Sequence, residues 1–177
     1  DIKILLGVEA NIINPSGTLD ITEEEEKMLD YVLAGYHYGI LGEKPLSAAF
    51  IHLVNWVSNK SGKGSGDSAR KRNNTELIIK ALHENRIKVL THPGDKGPFD
   101  LMPIAKACEE TGTMMEISTW HEAPLTEELK KLAKTRVRFI ISSDAHSPQR
   151  VGTFVPGLKR AMEAGVDPAC IDNLEEI

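Results

Sequence analysis

Short apolar runs alternate with amphipathic stretches along the chain. The runs at 2–8, 31–34, 88–91, 114–117 and 136–141 read as strands. The stretches at 22–29, 75–84, 102–111, 126–135 and 155–164 read as helices. Within 75–84, Leu77, Ile78, Ala81 and Leu82 recur at the spacing that lines one face of a helix. Asp20 or Thr22 can cap the acidic run from Glu23 to Glu26, whose charges then fall in the first turn, where the helix dipole favours them. Strands alternating with helices predict βαβ units and a parallel sheet, hence an α/β fold. Five such strands make either an open doubly wound sheet or a large part of a β/α barrel. No repeat and no second domain is visible, so all 177 residues read as one domain.

One segment breaks the pattern. Residues 58–74 are rich in Gly and Ser and carry Lys60, Lys63, Arg70, Lys71 and Arg72 against the single acid Asp67. Its composition predicts a surface loop. A basic loop of this kind can also act as a lid that closes on a phosphorylated substrate.

The candidate chemistry sits at the strand ends. The first run leads to Glu9, the second to His37, the third to His92, and the last to Asp144 and His146. In parallel β/α architectures the C-terminal strand ends face a common crevice where ligands bind. Four of five predicted strands deliver a carboxylate or an imidazole to that edge. Such oxygen and nitrogen donors suit Zn, Mn or Fe. Paired metals bridged by a carboxylate such as Glu9 can clamp the attacking and leaving oxygens of phosphoryl transfer. Glu116 lies inside the fourth strand and is expected to be buried. His52 and His83 fall in helical stretches and read as structural or solvated. His121 follows a strand, where it either touches substrate or is a plain loop histidine.

Composition changes this picture little. The chain is 41% hydrophobic and 27% charged, ordinary for a soluble domain. Its net charge of -5 disfavours a general nucleic-acid surface. Cys108 and Cys170 lie far apart and read as reduced thiols. With no apolar run of the roughly 18 residues that span a bilayer, the expectation is a cytoplasmic protein without membrane partners. The chain opens on Asp1 inside an apolar run, which reads as a fragment of something longer.

The ordered set Gly-Val-Glu-Ala-Asn (7–11), Ala-Gly-Tyr-His (34–37), Thr-His-Pro-Gly (91–94), Met-Glu-Ile (115–117) and Ser-Asp-Ala-His (143–146) resembles the PHP (polymerase and histidinol phosphatase) superfamily. The nearest likeness is to its small stand-alone phosphatases. The resemblance implies a distorted β/α barrel of seven strands with up to three divalent metal ions. By it Glu9 matches the bridging carboxylate, His37 and His92 share one metal with Glu9, Asp144 is a ligand of a second, and His146 of a third. Glu9 and Asp144 would thus sit at the catalytic centre. The implied activity is hydrolysis of a small phosphomonoester by metal-activated water, with Lys63, Arg70, Arg72, His121 and Arg150 as candidate substrate contacts.

The departure from the family is its opening His-x-His motif, which this sequence lacks. Against a typical barrel of about 250 residues, roughly 65–75 residues and two strands are missing. Alternatives are therefore a nucleic-acid 3′ exonuclease or proofreading module of the same superfamily, or an inactive fragment. An incomplete barrel exposes sheet edges, which predicts self-association.

Overall fold

The computed structural model describes residues 3–37 and 68–174. Among the described residues there are five strands: β1 (Gly7–Asn11), β2 (Tyr31–Gly35), β3 (Val89–Leu90), β4 (Met114–Ser118) and β5 (Phe139–Ser142). Among the described residues the helices are α1 (Glu23–Glu26), α2 (Ser68–Glu84), α3 (Leu101–Thr111), α4 (Thr126–Leu132) and α5 (Val155–Glu163). Short 3-10 turns lie at Pro148–Arg150 and Pro168–Cys170.

The strands form one sheet in the order β1-β2-β3-β4-β5, every pair parallel. A doubly wound sheet reverses its order at a switch point; this sheet does not. Helices α2, α3, α4 and α5 pack each on the next, along the sheet. The α/β architecture with alternating helices is therefore as the sequence pattern predicts.

The period of two along each strand separates the faces. Ala10, Ala34, Leu90, Met115 and Phe139 stand in register and are buried with Ile117 and Ile141 against the helices. Met115 and Ile117 are fully enclosed, and burial of each contributes about 1.5–3 kcal/mol. The alternate positions carry Glu9, Gly35, Thr91, Glu116 and Ser142, a polar row on the opposite face.

Two boundaries differ from the sequence pattern. The first strand begins at Gly7, whereas the apolar run suggested 2–8. Tyr31 pairs with Gly7, and just before it the Asp30 carboxylate takes the Leu6 N–H at 3.0 Å, which ends the ladder. Ile4, Leu5 and Leu6 are left exposed. The strand also runs on to Asn11, so Glu9 lies in mid-strand, opposite Leu33, rather than at the strand end.

The basic segment is also partly helical. Residues 68–74, read as loop, form the first two turns of α2. Polar side chains at this junction find tertiary partners: Asn74 Nδ2 donates to the Pro98 carbonyl at 3.2 Å, and the next residue, Thr75, accepts the Asp100 N–H on Oγ1 at 2.8 Å. Both residues are buried. A helix can thus continue through a stretch whose composition favours a turn.

At the other end of the acidic run, Thr22 caps α1 with a capping box. Its hydroxyl accepts from the Glu25 N–H, and the Glu25 side chain accepts from the Thr22 N–H.

Candidate metal centre

Three neighbouring strands bring three donors together. Glu9 projects from β1, His37 lies two residues past β2, and His92 two residues past β3. Glu9 Oε1 stands 3.2 Å from His92 Nε2 and 3.4 Å from His37 Nε2. The two Nε2 atoms are 3.1 Å apart. Donors around a tetrahedral ion with bonds of about 2.0–2.1 Å stand about 3.3 Å apart. The triangle therefore has the size of one face of a coordination sphere.

The surroundings prepare these groups to donate electron pairs. Burial acts to raise the Glu9 carboxyl, but hydrogen bonds from His37, His92 and Thr91 outweigh it and hold the group far below the usual carboxylate range. Glu9 is therefore an acceptor only. Thr91 Oγ1 donates to the same Oε1 at 2.6 Å, which fixes the carboxylate's direction. Nδ1 of His37 is buried without a hydrogen-bond partner among the described residues, so Nε2 is the nitrogen aimed at the group. Burial opposes charge on His92, yet Glu9 and Glu116 raise its affinity for a proton, as they would for any cation.

Close packing admits no side chain at Gly35. A Cβ there would come 2.8 Å from His37 Cε1 and 3.1 Å from Glu9 Oε1, and nearer still to Thr91 Oγ1. His92 holds φ +28 and Asp144 φ +44, in the left-handed region that costs most side chains energy. The turn at His92 directs its N–H onto Glu116, which accepts it at 2.5 Å and also accepts the Ser142 hydroxyl. Burial keeps the Glu116 carboxyl above its ordinary range despite these two bonds.

A second group adjoins the first. The His121 ring lies 4.5 Å from the His92 ring, centroid to centroid. Its Nε2 is 3.2 Å from Asp144 Oδ2 and its Nδ1 is 3.1 Å from Asp95 Oδ2. Lys96 pairs with the same Asp95 oxygen. Burial and the neighbouring His92 pull His121 below the usual imidazole range. Further out, the exposed His146 stacks on Trp120 at 5.6 Å, and the Arg150 guanidinium lies 4.4 Å over the Trp120 ring.

The Glu9, His37 and His92 group thus has the donors and the spacing to bind a metal ion. No family model matches the chain. Similarity to whole proteins is informative. A "Probable phosphatase" of Acetivibrio thermocellus is 29% identical over 161 residues, which cover 86% of this chain and 56% of that protein. One from Proteus mirabilis is 28% identical over 162 residues, again 86% and 56%. One from Thermoanaerobacter sp. is 30% identical over 183 residues, 98% of this chain and 65% of the relative.

The chain is homologous to proteins named as probable phosphatases. It spans 56% to 65% of the length of these relatives.

The other residues singled out in the sequence are distributed as follows. Asp144 faces His121, and His146 approaches Asp144 at 3.6 Å while accompanying Trp120 outward. Arg150 Nη2 donates to the Thr119 carbonyl at 3.2 Å. Arg70 is half-buried and Arg72 exposed, both in α2. Lys63 and His52 lie outside the described residues. His83 approaches Glu110 at 3.5 Å on the surface, as a solvated histidine. Asp95, Thr91 and Ser142 were not apparent from the sequence; the acid that follows Thr-His-Pro-Gly was the one available signal for Asp95. Among the described residues no helix is long and apolar enough to cross a membrane.

Proposed function

We propose that this chain carries the metal-binding part of a PHP-type phosphoesterase, which hydrolyses a small phosphomonoester. The carrying observation is the triangle of Glu9, His37 and His92 donors with edges of 3.1–3.4 Å. The names of its relatives support the reaction class. The sequential order of five parallel strands supports reading the sheet as an arc of a distorted barrel.

In this reading Glu9, His37 and His92 would hold one metal ion, and Asp144 and His146 would contribute to holding others. Zn, Mn or Fe held there supplies Lewis-acid activation of water and neutralises phosphoryl charge. Thr91 and Glu116 orient Glu9 and His92. Arg150, half-buried beside Trp120, is placed to hold a phosphate oxygen. The net charge of -5 favours a small substrate over a nucleic acid. In the sheet as described, β1 is an edge strand, and an open edge favours pairing with a second copy.

Elemental analysis of the purified chain for Zn, Mn and Fe tests the centre. About one metal per chain or more, lost in a His37→Ala, His92→Ala double variant, is expected. Hydrolysis of p-nitrophenyl phosphate by the full-length protein then tests the activity. A chain without metal together with an inactive full-length protein would overturn the reading.

A further inference from the structure

We infer that His121 is a metal ligand: with Asp144 it holds a second divalent cation beside the Glu9–His37–His92 group, and Asp95 orients its ring from the other nitrogen. This rests on the metal-centre reading above and extends it to two residues, His121 and Asp95, that the motifs do not contain.

The loop that carries His121 is fixed by its own backbone. Ser118 Oγ accepts the N–H of Trp120 and of His121, each at 3.1 Å. Arg160, from α5, donates to the carbonyls of Ser118 at 3.0 Å, His121 at 3.0 Å and Glu122 at 2.8 Å. Thr119 Oγ1 donates to the Thr153 carbonyl at 2.8 Å. The ring is therefore presented from a clamped segment, and its placement between two carboxylates needs no adjustment of the chain.

The placement is that of a ligand with an orienting partner. A histidine that only pins a loop needs one partner, whereas here each ring nitrogen has a carboxylate at 3.1–3.2 Å. The 3.2 Å between His121 Nε2 and Asp144 Oδ2 is the spacing of two donors sharing an ion with bonds of about 2.0–2.2 Å. Asp95 Oδ2 is buried and accepts no aligned hydrogen bond, although His121 Nδ1 and Lys96 Nζ both lie beside it. Metal-bound imidazoles commonly present the other ring nitrogen to such a carboxylate. The side chains of His121 and Asp144 retain 19% and 16% of their exposure, so an ion can reach them from solvent. The 4.5 Å separation of the His92 and His121 rings makes the two sites neighbours. The donor set again suits Zn, Mn or Fe.

The test is calorimetric titration of the chelator-treated chain with Zn²⁺, repeated with Co²⁺ to follow the visible absorption of the bound ion. Two equivalents are expected for the unmodified chain and one for His121→Ala. Asp95→Asn should weaken only the second equivalent, by about 10–100-fold. Circular dichroism of each variant confirms that it is folded. Two equivalents of unchanged affinity in folded His121→Ala would overturn the assignment. So would a single equivalent that is lost in His37→Ala and kept in His121→Ala. A chain that takes up no metal at all would instead overturn the metal-centre reading itself, and this assignment with it.

Discussion

The main-chain N–H of His92 and the carboxylate of Glu116 meet at 2.5 Å, across the boundary between β3 and β4. This contact accompanies the φ of +28 at His92 and orients the residue whose Nε2 faces Glu9. Glu116→Ala would leave that buried N–H without an acceptor and open a cavity. A loss of about 2–4 kcal/mol in stability is expected from chemical denaturation. Metal uptake by the Glu9 group should weaken with it, and unaltered uptake would detach Glu116 from the centre.

Gly35 is a steric requirement of the site. Gly35→Ala places a methyl against Thr91, His37 and Glu9 together. We expect a cost of about 1–3 kcal/mol from overpacking. Loss of the metal in elemental analysis should exceed what that destabilisation alone would cause.

Arg160 binds three carbonyls of the loop after β4. Arg160→Met keeps the aliphatic stem and removes the donors. The expected cost is about 1.5–3 kcal/mol, since hydrogen bonds from a charged donor are the stronger kind. Thermal unfolding measures it. Hydrogen exchange should quicken first at the N–H groups of Trp120 and His121, which depend on the same loop.

Cys108 is fully buried in the core, and burial pushes its thiol up to about 12. Its folded value is raised above the ordinary 9.0, so the folded state keeps its proton where the unfolded chain has lost it. This stabilisation is whole below pH 9 and is lost as pH rises toward 12, at about 1.4 kcal/mol per pH unit. Unfolding free energies should be level from pH 8 to about 9 and fall with that slope from there to about 11. Cys108→Ala should flatten it; an unchanged slope would assign alkaline unfolding to other groups.

The strand-end residues were legible because the strands of a parallel sheet share one direction, so residues after separate apolar runs meet at one end. His37 and His92 follow from that rule; Glu9 was placed at the same edge but projects from the middle of β1. The start of β1 was not legible: Ile4, Leu5 and Leu6 have strand composition, but pairing stops where Asp30 takes the Leu6 amide. The length of α2 was hidden because Asn74 and Thr75 are satisfied by Pro98 and Asp100, residues distant in sequence. Burial of Glu116 was expected from its place in an apolar strand. Its bond to His92 depends on the register of β3 against β4, which composition does not encode. Asp95 was missed for a similar reason, since its partner His121 lies on another loop.

The wide sequence separation of the donors also orders events during folding. Glu9 and His92 stand 83 residues apart in the chain and 3.2 Å apart in space. β1 must dock on β2 and β2 on β3 before these atoms meet, so a collapsed but unregistered chain offers an ion single weak donors. Metal capture should therefore be a late step that follows sheet assembly, and the ion should slow unfolding more than it speeds folding.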